Sequence, residues 1–378
     1  MKILYAALRH NPTDILSASG SHFQFYRSMI DNGHQVKVLG PFIEKPYLIE
    51  RVLKGFYRKQ KKYKYLKYSW TNTIRSCNAL NKLESVWKPD IVFSMTPSPL
   101  VFYKGTAPCI FRTDTTFIGM NNQGAEYLKH GRFMLAQMVW QEKKAFSKCQ
   151  KIITHSDWSG HIINKAYNIP QKKIVVFANP APLNIQNWQN KKNKKNKTNL
   201  DILKLLVVGR EYHRKGIDIA IEIVRIINKN GTKAVLDIIG MNGKSGPYYK
   251  FHGHFKKNDH DQLNRYLEFF EKAHFLVHPA RFEAAALVPS EAAAFGTPTI
   301  TNATGGLETT VKNNISGIVL PQGSRAATYA KIIINQIKDL KRYQNLCNTT
   351  FDRYKNELNW GVMDKHFNRI IYSAANTK

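Results

Sequence analysis

The chain has 378 residues, 43% of them hydrophobic, enough for about two ordinary globular cores, and a formal net charge of +31. Charge of that size calls for an anionic partner, either nucleic acid, an anionic bilayer surface or a negatively charged substrate. Four scattered cysteines, Cys77, Cys109, Cys149 and Cys347, show no Cys-x-x-Cys spacing, which excludes a disulfide framework and a cysteine-built zinc site.

The opening run Met1–Leu8 is strand-like and too short for a secretory leader. No stretch of about 18 apolar residues follows, so no membrane span is expected. The expected location is cytoplasmic, with peripheral attachment to the inner face of a membrane left open. In chain order, Lys2–Ala7 reads as a strand, and a helix runs from Gly20-Ser21 to Asn32, where Gly33 stops it. Gln35–Leu39, Asp90–Ser94 and Cys109–Arg112 read as further strands, and Arg132–Ser147 as a helix. Ile152–Thr154 and Ile174–Phe177 are strands flanking a helix that ends at Ala166. Such alternation predicts a doubly wound parallel sheet.

Asn179-Pro180-Ala181-Pro182 and the lysine run Lys191–Lys197 break the pattern and read as an interdomain linker with an exposed loop. A second sheet begins at Leu203–Val208 and continues through Ala234–Ile239, Phe275–His278 and Thr299–Thr301, with helices at Ile217–Asn228 and Asp261–Lys272. An amphipathic helix closes the chain at Met363–Ala374. The expected domains are residues 1–180, a linker at 181–201, a second domain at 202–357 and a C-terminal helix at 358–378.

The charge is uneven. Residues 1–200 hold 32 Lys and Arg against 10 Asp and Glu, whereas residues 201–378 hold 25 against 16. The excess peaks at residues 51–68, with eight basic and five aromatic side chains, including Lys54, Arg58, Lys61, Lys62 and Lys64. Three readings stay open for this segment. It could be a solvated helix with its aromatics turned inward, a surface for an anionic bilayer or lipid-linked acceptor, or a nucleic-acid contact, the least favoured.

The most informative stretch is Val277–Leu320, VHPARFEAAALVPSEAAAFGTPTITNATGGLETTVKNNISGIVL. Glu283 and Glu291 stand eight positions apart around a small-residue turn, ahead of Gly296-Thr297-Pro298. Upstream, Gly209-Arg210 and Lys215-Gly216 straddle a strand-to-helix loop. Two cations at a helix N-terminus suit the negative charge that builds on a departing diphosphate. A carboxylate inside the next crossover can accept ribose hydroxyls.

These motifs resemble the retaining family-4 glycosyltransferases of the GT-B fold. The Glu, seven residues, Glu signature and the diphosphate-binding strand and loop are similar, and so is Trp360 before a terminal helix. The resemblance implies an α/β architecture of two Rossmann-like domains facing a central cleft, the C-terminal helix crossing back to the N-terminal domain. It implies sugar transfer with retention from a nucleotide-sugar, a UDP- or GDP-sugar being expected, to a glycan or lipid-linked acceptor in envelope glycan or glycolipid synthesis, without a metal.

Arg210 and Lys215 would then stabilise the leaving group, Glu283 and Asp114 would position the sugar, and Glu291 would hold the ribose. Gly20, Gly209, Ala285, Ala286 and Leu287 would line the donor. Ala284–Ala286 depart from the Gly-Phe-Gly usual after the first Glu. Ser19-Gly20-Ser21 reads equally well as a plain helix cap. Glu142 and Ser156-Asp157-Trp158 read as structural. Asp259-His260-Asp261 and His252-Gly253-His254 complete no metal shell. A nucleotide-sugar epimerase and a basic nucleic-acid- or membrane-binding protein without catalysis are the alternatives. The sequence does not address oligomeric state.

Overall fold

The computed structural model describes residues 1–8, 10–14, 20–41, 69–123, 132–181, 197 and 199–376. The chain divides into two compact units, one of Met1–Phe177 with Asp364–Lys378 and one of Ala178–Met363. The expected boundaries lay at 180/181 and 357/358. The crossings fall instead at 177/178 and 363/364. Ala178–Ala181 is tied into the second unit, where Ala181 N–H donates to the Leu358 carbonyl at 2.8 Å and Ser290 Oγ donates to the Asn179 carbonyl at 2.6 Å.

The first unit contains β1 (Lys2–Ala6), α1 (Ser21–Asp31), β2 (Gln35–Leu39), α2 (Trp70–Trp87), β3 (Ile91–Ser94), β4 (Cys109–Thr113), α3 (Phe117–Asn122), α4 (Arg132–Lys148), β5 (Cys149–Thr154), α5 (Asp157–Tyr167) and β6 (Ile174–Val176). The six strands are parallel, in the order β2-β1-β3-β4-β5-β6. Ile3–Ala6 and all of β3 are buried, as strands covered on both faces must be. Asp364–Lys378 belongs to this unit, so the terminal helix does return to the N-terminal unit. Phe367 packs edge-on against Phe25 and Phe93, Asp364 accepts hydrogen bonds from Ser28 and Asn32, and His34 Nε2 lies 2.9 Å from Asn368 Oδ1.

The second unit contains β7 (Leu203–Val208), α6 (Ile217–Lys229), β8 (Ala234–Ile239), β9 (Tyr249–Phe251), α7 (His260–Lys272), β10 (Phe275–His278), α8 (Val288–Ala293), β11 (Thr299–Asn302), α9 (Leu307–Thr310), β12 (Gly317–Leu320), α10 (Ala326–Lys338) and α11 (Leu340–Asn356). The last helix, α12 (Trp360–Ala375), starts here. Helix α6 buries Ile217, Ala220, Ile221, Val224 and Ile227, an i, i+3, i+4, i+7 stripe that seats it on the sheet. The order is β12-β11-β10-β7-β8-β9, again all parallel.

That order decides where chemistry can sit. The chain steps outward from β7 to β9, then returns to lay β10 on the other side of β7. The loops leaving β7 and β10 diverge to opposite faces and open a crevice at their carboxyl ends. Arg210–Gly216 follows β7, and Pro279–Leu287 follows β10.

Candidate active site

Gly216 opens α6 with φ +66°, and a Cβ there would lie 2.1 Å from the Pro279 carbonyl oxygen. Only glycine lets the two loops meet this closely. The meeting brings Lys215 onto Glu283. Lys215 Nζ bonds Glu283 Oε2, and Arg214 Nη1 and His278 Nε2 each lie 3.5 Å from the same oxygen. Arg214 also holds Glu211 and donates to the Phe282 carbonyl at 3.3 Å.

Glu283 is 8% exposed. Burial alone would raise its pKa, but Lys215, His278 and Arg214 outweigh it and hold the carboxyl well below the usual range. His278 goes the other way. Its burial lowers the pKa, with Lys215 and Arg214 acting in the same sense and Glu283 opposing.

Glu291 lies in α8 and is 1% exposed. Its oxygens accept from Lys257 Nζ and Tyr266 Oη, each at 2.6 Å, and Lys257 lies 4.5 Å from the centre of the Tyr266 ring. Arg210 does not join the Lys215–Glu283 group. Its Nη2 lies 2.9 Å from His254 Nε2. Burial lowers the His254 pKa, and the positive charges of Arg210 and Lys257 lower it further.

Three local groups therefore form, Arg214-Lys215-His278-Glu283, Arg210-His254 and Lys257-Tyr266-Glu291. Sequence reading missed Arg214, His278, Lys257 and Tyr266. Arg214 directly precedes Lys215 and His278 ends a strand read as buried, so both were signalled by position alone. Ala286 packs against Ala280 and Leu307, while Leu287 is the uncapped start of α8. The Gly209 position leaves room for Lys215, whose side chain a Cβ there would meet at 2.6 Å.

The first unit holds Asp114 just beyond β4. Arg112 Nη2 donates to its Oδ1 at 2.7 Å, and Arg112 Nε donates to His155 Nε2 at 2.8 Å. The Asp114 side chain remains 49% exposed. It does not cap α3; Thr116 does, by accepting from Gly119 N–H. Gly20 has φ +86° and begins α1 without a side-chain cap. Glu142 is structural, accepting from Phe117 N–H and Tyr167 Oη, and burial pushes its pKa up to about 8. Ser156 caps α5 and Asp259 caps α7. Lys54, Arg58, Lys61, Lys62 and Lys64 lie outside the described residues.

Two sequence profiles tile the chain. The profile of Glycosyltransferase Family 4 matches residues 23–184, and that of Glycosyl transferases group 1 matches residues 188–352. The chain belongs to the family-4 glycosyltransferases of the GT-B fold. It is 41% identical over 75 residues to D-inositol 3-phosphate glycosyltransferase 1 of Catenulispora acidiphila, a match spanning 20% of this chain and 18% of that relative. The fold is similar to sucrose-phosphate synthase from Thermosynechococcus elongatus (TM-score 0.71, 15% identity, all of both chains). It is also similar to Anabaena HepE in complex with UDP (TM-score 0.63, 13% identity, 99% of this chain and 100% of that one).

Proposed function

We propose that this glycosyltransferase moves a sugar from a nucleotide-sugar, a UDP- or GDP-sugar, to an acceptor hydroxyl with retention of anomeric configuration. The observation that carries the reading is the buried Lys215–Glu283 contact at the switch point of the second sheet, backed by Arg214. A donor diphosphate at this crevice meets Lys215, Arg210 and the start of α6, where charge on the departing phosphate is stabilised as the glycosidic bond breaks. Glu283, kept ionised, accepts hydroxyls of the donor ring and steadies positive charge on it. Glu291 accepts the ribose hydroxyls, and Lys257 then yields one carboxylate oxygen. The bond from anomeric carbon to phosphate oxygen breaks, the acceptor oxygen bonds that carbon on the same face, and its proton passes to the departing phosphate. No metal is part of this scheme, since side-chain cations supply the charge.

Asp114 is assigned to the sugar or acceptor from the first unit, and Gly20 to a main-chain contact with the donor. The basic segment at 51–68 is assigned to an anionic bilayer surface or a lipid-linked acceptor, consistent with envelope glycan or glycolipid synthesis at a membrane face. The relative solved with UDP supports a uridine donor. Thermal unfolding of the whole chain in a panel of UDP-, GDP- and ADP-sugars tests this, because a ligand that binds the folded state raises Tm by mass action. One nucleotide series should raise Tm. No shift with any member overturns the donor assignment.

A further inference from the structure

Arg281 clasps the two loops that bound the donor crevice. Its Nη1 donates to Asp218 Oδ1 at 2.8 Å and its Nη2 to Asp218 Oδ2 at 2.6 Å. The same Nη1 donates to the His213 carbonyl at 2.7 Å, and the Arg281 backbone N–H donates to the Arg214 carbonyl at 2.9 Å. Paired donors of this kind fix a carboxylate in place as well as neutralise it. Both side chains of the pair are 35% exposed, so as a surface ion pair it contributes little to stability. Its position gives it another task.

Asp218 lies in the first turn of α6, where the proposed donor phosphate has to sit. The N–H groups of a helix start favour an acid side chain there, and they favour a phosphate for the same reason. Two of those groups are already engaged. Ile217 N–H donates to the Tyr212 carbonyl at 3.0 Å, and Ala220 N–H donates to the Gly216 carbonyl at 2.9 Å. The N–H groups of Asp218 and Ile219 find no backbone carbonyl among the described residues. These are the two that favour the ionised Asp218. Burial opposes its ionisation, the Arg281 fork outweighs burial, and the N–H groups of Ile219 and Asp218 add to the fork, so the carboxyl stays below its ordinary pKa. A phosphate arriving at this helix start therefore meets a carboxylate drawn to the same donors.

We propose that Asp218 competes with the donor diphosphate for the start of α6, and that Arg281 is a positioning residue that holds this carboxylate and cancels its charge when the diphosphate binds. The proposal rests on the donor reading given above. Without Arg281, an uncompensated negative charge stands beside the diphosphate, and like charges brought together weaken binding. The crevice itself does not depend on the Asp218 charge. The Lys215–Glu283 contact, the approach of Gly216 to Pro279 and the Arg281 bonds to His213 and Arg214 involve other groups. A clasp that only braces the loops and a clasp that restrains a competing charge thus predict opposite signs for an Asp218 variant.

Calorimetric titration of the whole chain with UDP and with GDP, on wild type, Arg281→Gln, Asp218→Asn and the double variant, separates the two. For the nucleotide that binds wild type, Arg281→Gln should weaken affinity about tenfold. Asp218→Asn should tighten it about threefold, and the double variant should return to within about threefold of wild type. The proposal is overturned by unchanged affinity in Arg281→Gln, by unchanged or weaker affinity in Asp218→Asn, or by a double variant no better than Arg281→Gln. If Arg281→Gln does not fold, the sign in Asp218→Asn decides alone. Failure of wild type to bind either nucleotide removes the donor reading and this proposal together, whereas tight binding by wild type with Asp218→Asn weakened removes this proposal and leaves the donor reading standing.

Discussion

Glu283 carries the heaviest demand of any residue here. Its pKa is depressed in the fold, so its ion pair contributes stability above the unfolded carboxylate pKa of about 4.3. That contribution is lost as pH falls toward the lower folded value. Glu283→Gln should flatten the acid limb of a Tm-against-pH curve and cut turnover by about 10²–10³-fold. Turnover near wild type would remove it from the reaction. Glu142 behaves oppositely. Its pKa is raised to about 8, so the fold prefers it protonated, and stability is lost as pH rises from about 4.3 to 8. Glu142→Gln can still accept from Phe117 N–H and Tyr167 Oη. Relative to wild type its Tm should therefore climb across that window; parallel curves would show that the carboxyl does not titrate there.

The loop geometry at the crevice hangs on one glycine and one strand order. Gly216→Ala meets both a left-handed φ and the Pro279 carbonyl. It should cost about 2 kcal/mol or more in denaturant unfolding, and donor binding should fall with it. Unchanged stability would mean the β10 loop moves aside freely. Much at this scale was legible beforehand. Leu203–Val208 and Phe275–His278 are apolar runs of strand length, and the stripe of α6 is plain. Other elements were not. β9 is three residues, too short for periodicity to register. α11 is rich in Asn, Thr and charged residues, and its inward face includes Thr350 and Arg353 beside Tyr343 and Leu346. Arg353 is buried there because it donates to the Thr309 and Thr310 carbonyls at 2.7 and 2.6 Å, a tertiary arrangement no local pattern announces. The same holds at the candidate site. Spacing located Lys215, Glu283 and Glu291, but only the folded sheet shows that Arg214 faces Glu283 while Arg210 turns to His254.

For the whole molecule, the dominant quantity is the net charge of +31, concentrated in residues 1–200. No helix among the described residues is long and apolar enough to cross a membrane. The membrane contact proposed for residues 51–68 is one of surface electrostatics, which salt screens within a Debye length of about 10 Å at 0.1 M. Flotation with vesicles should require anionic lipid and decline as salt rises. Replacing Lys54, Lys61, Lys62 and Lys64 by Gln should abolish most of it. Undiminished flotation in that variant would free the segment of this role.

The terminal helix has a separate consequence. The sheet begun by the first residues is not fully covered until Asp364–Lys378 arrives, because Phe367 rests on Phe25 and Phe93. In chain order the later unit is therefore complete before the earlier one, whose sheet depends on residues that come after it. Phe367→Ala should cost about 3–5 kcal/mol, and a released chain ending at Met363 should display a protease-resistant second unit beside a still-cleavable first.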